Sequence, residues 1–420
     1  MFAENLRNLL LQPPVKGRVV LGLDPAYRTG CKLAVVDDTG KVLAIDVIYP
    51  TPPQNKVEEA ERILLNLIEK HKVDIVSIGN GTASRESEIF VANALKKLDR
   101  KVYYMVVSEA GASVYSVSKL GAEEFPDFDV SLRSAVSIAR RLQDQLAELV
   151  KIDPKAIGVG QYQHDMNQKR LSETLRGVVE DCVNSVGVDL NTASSSLLSY
   201  VSGINAVVAK NIVEYREKAG RFSSRLELKN VKKLGDKTFE QCAGFLRIPE
   251  GQNILDNTSV HPESYDAALK LLELTGYTPD DVKNRKLDGL EEEVRKRGIE
   301  AIASAINVGV PTLRDIVSEL MKPGRDPRDE LPKPVFMTDV LSIEDLRPDM
   351  VLTGTVRNVA DFGAFVDVGV HQDGLVHISE LSDKFVRNPM EVVSVGDIVK
   401  VRVLSVDVER KRISLSMKNV

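Results

Sequence analysis

The hydrophobic pattern of this chain changes along its length, and no single fold accommodates all of its patterns. Residues 16–150 alternate short apolar runs with segments of helical spacing. Residues 151–320 keep helix-length segments, separated by Gly, Asn or Pro, but lose the strand pattern. After a Pro-rich stretch at 321–348, residues 349–420 are nearly all short runs typical of strands. The 420-residue chain is therefore predicted to be multidomain, with α/β, all-α and all-β parts in that order.

Composition excludes several classes of protein. The chain has 56 Lys and Arg against 61 Asp and Glu, and this net charge of −5 argues against uniform coating of nucleic acid. Its three Cys lie far apart, so neither a disulfide framework nor a structural zinc site is expected. The first residues are too charged for a signal peptide, and no apolar run approaches the roughly 20 residues of a membrane span. We expect a cytoplasmic protein without membrane contacts.

The α/β part begins with three apolar runs, at residues 17–24, 32–37 and 42–49. A turn signal at 38–41 joins the last two, so three antiparallel strands are expected before the helix–strand alternation. Asp24 ends the first run, and Glu109 follows a strand predicted over Val102–Val107. Carboxylates at adjacent strand ends suit two divalent metal ions that cleave a phosphodiester. The other interpretation of Asp24 is a helix or turn cap.

The order of these elements, with the segment Leu23–Gly30 first, resembles the YqgF/RuvC branch of the RNase H-like fold. That resemblance implies a third acid near the start of the last helix, which is predicted over Ser131–Val150. Asp129 precedes this helix and Asp144 lies more than three turns into it, whereas Arg or Ser fills the expected position. An inactive scaffold without a cofactor is therefore favoured. The alternative is a nuclease or junction resolvase that uses Asp24, Glu109 and Mg²⁺.

Residues 196–248 hold ten Lys and Arg against five Asp and Glu, a local excess of +5. Two helix–turn–helix units occur there, Leu198–Ala219 and Leu226–Gly244. A Gly-bearing turn before a helix exposes backbone N–H groups to phosphate. The pair resembles tandem helix-hairpin-helix motifs, which grip the backbone without reading sequence; ordinary packed helical hairpins are the alternative. Lys233 replaces the usual Gly and is expected to be harder to accommodate. The predicted nucleic-acid contacts are Gly203, Asn205, Lys210, Lys232, Lys233 and Gly235.

Five short runs in residues 349–420 predict a small barrel. Phe362-Gly363-Ala364-Phe365 and Gly374–Ser379 resemble the S1 domain, an RNA-binding module with the OB fold. Stacking on bases needs flat aromatic faces with cations near the phosphates. The resemblance places these residues on the binding face: Phe362, Phe365, His377, Asp407, Lys411 and the neighbouring Arg412. The alternative assigns both Phe rings to the core.

The segment Gly158–Asp165 is Gly-rich but lacks the Gly-Lys-Ser/Thr of a phosphate-binding loop. No strand and helix flank it in the required order, so nucleotide binding is not predicted. His164 beside Asp165 is expected to be a loop cap or a packed side chain rather than a general base.

This combination of domains resembles the Tex family of bacterial transcription accessory proteins, as do Asp24–Lys32, Gly158–Asp165 and Asn191–Ser194. The resemblance implies a non-enzymatic factor that binds RNA, with single- or double-stranded DNA as further ligands and RNA polymerase or the ribosome as protein partners. Family members carry a long helical region before the α/β domain, so a truncated chain is suspected. The predicted boundaries are an N-terminal helix (1–15), a YqgF/RNase H-like domain (16–150), a helical connector (151–195), tandem helix-hairpin-helix motifs (196–250), a helical domain (251–320), a Pro-rich linker (321–348) and an S1 domain (349–420).

Overall fold

A computed structural model of the chain describes residues 2–160, 162–331, 336–337, 346–370, 372–408, 410, 412–418 and 420. The described residues fall into two compact units, one drawn from 1–14 and 144–331 and the other from 15–143 and 332–420. Lys411 and much of the predicted linker, residues 332–335 and 338–345, lie outside the described residues.

The described α-helices are α1 (Phe2–Leu10), α2 (Val57–His71), α3 (Ser84–Leu95), α4 (Ala112–Val117), α5 (Lys119–Glu124), α6 (Val130–Gln143), α7 (Gln145–Leu149), α8 (Gln168–Val186), α9 (Ser195–Leu198), α10 (Ala206–Ala219), α11 (Asp236–Cys242), α12 (Tyr265–Thr275), α13 (Pro279–Lys283), α14 (Leu290–Arg297), α15 (Ile299–Ala305) and α16 (Val310–Met321). The described strands are β1 (Val20–Asp24), β2 (Cys31–Val36), β3 (Val42–Ile48), β4 (Ile75–Gly79), β5 (Tyr103–Val107), β6 (Val188–Asp189), β7 (Leu246–Arg247), β8 (Val351–Ala360), β9 (Gly363–Asp367), β10 (Gly374–His377), β11 (Ile398–Asp407) and β12 (Arg412–Ser416).

The sheet of the α/β domain has the strand order β3-β2-β1-β4-β5. β1 pairs antiparallel with β2, and β2 with β3, which confirms the predicted three-stranded meander. β4 pairs parallel with β1, and β5 parallel with β4. Because β4 lies between β1 and β5, the expectation that Asp24 and Glu109 stand at the ends of adjacent strands is wrong.

Helices cover both faces of this sheet, which explains why β1 and β2 are apolar along most of their length. One face packs against α2 and α3, and the other packs against α6. Gly22 in β1 allows α6 to approach closely, because a Cβ there would overlap the carbonyl oxygen of Ala135 and lie 2.8 Å from the amide nitrogen of Ala139. α6 therefore lies directly on β1, with its first turns near the end of that strand.

The last helix predicted in the α/β part, over 131–150, is divided in the structure into α6 and α7. Asp144 stands between them in an extended conformation and caps α7 by accepting a hydrogen bond from the amide of Ala147 at 3.0 Å. Its carboxylate also accepts two hydrogen bonds from the buried guanidinium of Arg328, at 2.8 and 3.0 Å. A capping residue and an ion pair 184 residues away in sequence thus end the helix, and local periodicity reports neither.

In the helical unit, the fully buried guanidinium of Arg225 joins the hairpin region to the helices that follow. It donates to the carbonyl oxygens of Leu246 at 2.6 Å, of Val260 at 2.8 Å and of Thr258, and to the hydroxyl of Tyr265 at 2.9 Å. The helices from α12 to α16 then pack around an apolar core of their own.

β8 to β12 close into a barrel with the order β10-β12-β11-β8-β9, which confirms the predicted five-stranded barrel. Its interior is apolar and is built from inward-facing residues of all five strands. Gly363 lies between the two predicted stacking rings. A Cβ at this position would overlap the carbonyl oxygen of Val376, so only Gly permits β9 and β10 to pair this closely here.

Candidate nucleic-acid interfaces

Asp24 occupies the end of β1, where its carboxylate is hydrogen-bonded by Ser134 of α6. Burial raises the pKa of Asp24, while the Ser134 hydrogen bond and the positive charge of Lys32 oppose that rise. Ser134 lies near the start of α6, where the resemblance to RNase H-like nucleases implies a third acid. The hydroxyl of Ser134 is thus hydrogen-bonded to Asp24, near the place where the resemblance implies a third acid.

Glu109 follows β5, and its carboxylate lies over the end of β4. A Cβ placed on Gly79 would be 2.5 Å from Glu109 Oε2. Burial raises the pKa of Glu109, the negative charge of Asp24 adds to the rise, and a hydrogen bond from the Gly81 backbone and the charge of Arg141 oppose it. The two carboxylates thus interact across β4 even though their strands are not neighbours.

Lys32 pairs with Asp24 in the β1–β2 register, and its side chain is buried. Its ammonium donates to the carbonyl and hydroxyl oxygens of Thr29, at 2.9 and 2.7 Å, and to the carbonyl oxygen of Gly30 at 2.8 Å. The ammonium of Lys32 is therefore a positive charge held near Asp24 by the chain itself.

The other two acids considered for a third ligand have different partners. Asp129 accepts hydrogen bonds from the amide and hydroxyl of Ser131, at 2.9 and 2.7 Å, and these bonds lower the pKa of its carboxyl group. Asp144 is engaged by Arg328. Among the residues that the structure describes, no group of three His, Cys, Asp or Glu side chains could hold a metal ion. Two carboxylates beside a fixed ammonium do not fit a pair of divalent cations.

The two predicted hairpin turns share one backbone shape. Gly203 has φ +79° and Lys233 has φ +65°, so both first residues are left-handed. The third residue of each turn is the N-cap of the following helix, Asn205 for α10 and Gly235 for α11. Lys233 thus adopts the conformation expected of Gly, at a cost of about 1–2 kcal/mol, and the second turn keeps its shape. The six predicted contact residues are all exposed: Gly203, Asn205, Lys210, Lys232, Lys233 and Gly235.

The two hairpins are related by an offset of 30 residues and pack against each other reciprocally. Asn211 Nδ2 in α10 donates to the carbonyl oxygen of Lys232 in the second turn at 2.6 Å. Gln241, the equivalent residue of α11, packs against the first turn, because a Cβ on Gly203 would be 2.7 Å from Gln241 Cβ. Each helix therefore supports the turn of the other unit, and the two turns are held together.

Part of the positive charge in this region is internal. Arg225 is fully buried, Arg216 donates to the carbonyl oxygen of Leu190 at 3.1 Å, and Arg247 donates to Ser259 Oγ at 3.0 Å. Among the described residues, no carboxylate forms an ion pair with Lys210, Lys232, Lys233 or Lys237. The charge available to phosphate is therefore concentrated around the two turns.

The sequence interpretation missed a further turn of similar shape between α15 and α16. Asn307 is left-handed with φ +58°, and Gly309 is the N-cap of α16. The available signal was Gly309 with Pro two residues later, in Gly309-Val310-Pro311, because Pro favours the first turn of a helix.

The residues predicted for the barrel that the structure describes are exposed or half-buried: Phe362, Phe365, His377, Asp407 and Arg412. The Phe362 ring is 51% exposed and meets the half-buried Phe365 ring edge to face, with centroids 6.0 Å apart and planes at 88°. Strand pairing aligns Phe365 with Leu375 of β10, and Leu375 with Ser414 of β12. His377 and Arg412 lie two residues from this row in opposite directions, about 13 Å apart along the strands. Asp407 pairs with Arg412 in register.

Phe385 was not predicted, yet it is the most exposed large apolar side chain in the described part of the chain, at 95%. It lies in the loop between β10 and β11. The same loop contributes Arg387 to a cavity of about 410 Å³ that Asp361, the neighbour of Phe362, also lines. Lys384-Phe385-Val386-Arg387, an aromatic flanked by cations, was the signal in the sequence.

Comparison with known proteins agrees with this architecture. Residues 18–143 match the family model of the Tex protein YqgF-like domain, 183–247 the helix-hairpin-helix motif, 253–328 the HHH domain, and 345–418 the S1 RNA binding domain. Together they define a multidomain protein with nucleic-acid-binding modules. None of the described helices has the length and apolar character needed to cross a membrane.

The whole chain is 58% identical to the uncharacterized protein YdcI of Bacillus subtilis over 99% of its length, which covers 58% of that protein. It is 54% identical over its full length to the transcriptional accessory protein Tex of Neisseria gonorrhoeae, and covers 54% of it. The chain belongs to the Tex family, and it spans just over half the length of these curated relatives. The solved structure of Thermus thermophilus RuvC is 22% identical, with a TM-score of 0.23, over 29% of this chain and 90% of that one.

Proposed function

We propose that this chain binds single-stranded RNA on the outward face of its S1 barrel. The observation that carries the proposal is the pair of perpendicular rings, Phe362 and Phe365, with His377 and Arg412 exposed on the neighbouring strands β10 and β12. Exposed rings stack on unpaired bases of any sequence, and each stacked base contributes about 1–3 kcal/mol. Single-stranded DNA is a second ligand of the same face, because both nucleic acids offer base faces.

The hairpin turns add contacts to phosphates without reading sequence. Their reciprocal packing through Asn211 and Gln241 holds two sets of backbone N–H groups and exposed lysines close together. Contacts of this kind accept double-stranded DNA as well as single strands. Two weak sites on one chain raise the apparent affinity for a ligand that reaches both.

The direct test is titration of RNA, single-stranded DNA and double-stranded DNA at several salt concentrations. We expect the single strands to bind, with log K falling linearly against log salt for the phosphate contacts. Affinity that is independent of salt would exclude the hairpin contribution. Absence of binding to either single strand would overturn the proposal.

We propose that binding proceeds without catalysis and without a metal cofactor, because the donor set at Asp24 and Glu109 does not suit a metal pair. Labelled RNA, single-stranded DNA and a four-way junction should remain intact with Mg²⁺ or Mn²⁺. Cleavage that disappears in the Asp24→Asn variant would establish the nuclease alternative.

We propose a role in transcription, in the cytoplasm; the name of the Neisseria gonorrhoeae relative, a transcriptional accessory protein, supports the link to transcription. RNA polymerase and the ribosome are the protein partners that we propose. Co-sedimentation with each purified assembly, before and after ribonuclease treatment, separates direct protein contact from tethering through RNA. Failure to sediment with either assembly would exclude both partners for this chain.

A further inference from the structure

The segment 158–166 lies outside all four matched domains and is held by its own amide side chains. Gln163 accepts a hydrogen bond from the amide of Val159 at 3.0 Å and donates to the carbonyl oxygen of Lys155 at 2.6 Å. Gln168 donates to the carbonyl oxygens of Gln163, His164 and Met166, at 3.0 to 3.3 Å. These bonds link residues 155–160 to Gln163, and Gln163–Met166 to the start of α8.

Helix α1 supports the same loop from its other side. Asn5 Nδ2 donates to the carbonyl oxygen of Val159 at 2.9 Å. The ring of Phe2 packs on Gly160, where a Cβ would be 2.6 Å from Phe2 Cδ1. An element from the start of the chain thus adds to the rigidity of this segment.

The side chains that the loop displays are not used for this support. Tyr162 is 69% exposed, Met166 is 48% exposed, and His164 is exposed as well. An aromatic ring next to hydrogen-bonded backbone loses less conformational freedom than a ring on an unsupported segment when a ligand stacks on it.

A cavity and three cations are contributed by residues close to Tyr162 in sequence. A cavity of about 560 Å³ is lined by Lys155, Gln163, His164 and Gln168, with Asp153 at its rim. Lys169 and Arg170 are exposed on the first turn of α8 beside it. An aromatic ring with nearby cations is the combination that single-stranded nucleic acid requires.

The loop is also connected to the first hairpin through α8. Near the end of this helix, Asn184 accepts a hydrogen bond from the amide of Ser202 at 3.1 Å and donates to the carbonyl oxygen of Tyr200 at 3.4 Å. Gln168 and Asn184 are about 24 Å apart along α8.

We propose that residues 158–160 and 162–166 form a separate binding site for single-stranded nucleic acid, in which Tyr162 stacks on a base and Lys155, Lys169 and Arg170 contact the flanking phosphates. This site needs no residue of the barrel and goes beyond the proposed function. Together with the first hairpin, it would give α8 a nucleic-acid contact at each end.

The chain contains no Trp, so Tyr162→Trp introduces a single indole whose emission reports on this loop. Titration with a short oligouridine should quench the emission and saturate. Val117→Trp in α4 is the matched control, because Val117 is also 69% exposed, and its emission should stay constant. Equal quenching of both indoles would mean non-specific collision and would overturn the site.

A third reporter, Phe362→Trp, separates this proposal from the function of the barrel. Quenching at Phe362→Trp without quenching at Tyr162→Trp overturns the loop site and leaves the barrel as the binding face. Quenching only at Tyr162→Trp supports the loop and contradicts the barrel assignment. A Tyr162→Trp indole that responds to a protein partner but not to the oligomer also overturns the proposal.

Affinity measurements complete the test. In a Phe362→Ala background, Tyr162→Ala should weaken oligouridine binding roughly 5- to 150-fold, the range that corresponds to loss of one stacked base. Tyr162→Phe should keep the affinity because the ring remains. Tyr162→Gly suits the left-handed conformation of this residue, φ +59°, so an equal loss there excludes backbone strain as the cause. Unchanged affinity in the Ala and Gly variants would contradict the site.

Discussion

The carboxylate site of the α/β domain and the outward face of the barrel differ in whether their functional groups have partners within the protein. Asp24 is hydrogen-bonded by Ser134 and lies near the ammonium of Lys32, which donates three hydrogen bonds of its own. On the barrel, the Phe362 ring and the Phe385 ring remain exposed. The same fold can bring carboxylates together and still engage them with other groups of the chain. Function therefore depends on the side chains at the site and not on the fold alone.

The largest effect is expected at Lys32. Lys32→Met removes three hydrogen bonds and leaves the Asp24 carboxylate buried beside no cation, which should lower the free energy of unfolding by about 3 kcal/mol. Urea unfolding measures this loss. Arg28→Met, at an exposed cation of the preceding loop, is the control and should change stability little. A Lys32→Met variant of unchanged stability would contradict this structural role of the ammonium.

The next effect is expected on the barrel and in binding rather than in stability. Phe365→Ala should weaken single-stranded RNA binding by about 2 kcal/mol, because one base loses its stacking partner. Fluorescence anisotropy with a labelled oligomer measures it. Leu274→Ala in α12 and Asp24→Asn should both leave the affinity unchanged. Unchanged binding by Phe365→Ala would defeat the assignment of the platform.

A smaller change should distinguish the hairpins from the barrel. Lys233→Gly keeps the left-handed turn and removes one charge, so the slope of log K against log salt should fall in magnitude by about 0.9 for one lost contact to double-stranded DNA. Lys233→Arg should keep the slope. Phe365→Ala should also leave it unchanged, and a slope that responds to Phe365 instead of Lys233 would reverse the division of roles.

The smallest effect is the pH dependence of stability that Glu109 causes. Because the pKa of Glu109 is raised, its contribution to stability is present below the ordinary pKa of 4.5 and is lost as pH rises through the raised value. The stability of Glu109→Gln relative to the original protein should therefore increase between pH 4.5 and neutral pH. In an Asp24→Asn background this increase should occur at lower pH, because the charge of Asp24 contributes to the rise. A difference independent of pH would contradict the buried carboxylate pair.

The strand meander, the five-stranded barrel and both hairpin turns were predictable, because their signals are local. Alternation of apolar residues, the turn at 38–41 and the Gly or Asn beside Ile204 act over a few residues. The third turn at Asn307 carried the same kind of signal and was missed because Asn, not Gly, stands at its first position, although Gly309 stands at its third. The predicted contact residues on the barrel and hairpins remain predictions, and Lys411 lies outside the described residues.

The sequence by itself determined the order of the domain types and the residue chemistry that each offers. Only the tertiary structure decided which groups are available. It placed β4 between the strands of Asp24 and Glu109, buried Arg225 among carbonyl oxygens, and ended α6 at Asp144 through Arg328. The physical reason is range: periodicity and turn chemistry are properties of neighbouring residues, whereas burial and ion pairing depend on segments that meet only when the chain packs.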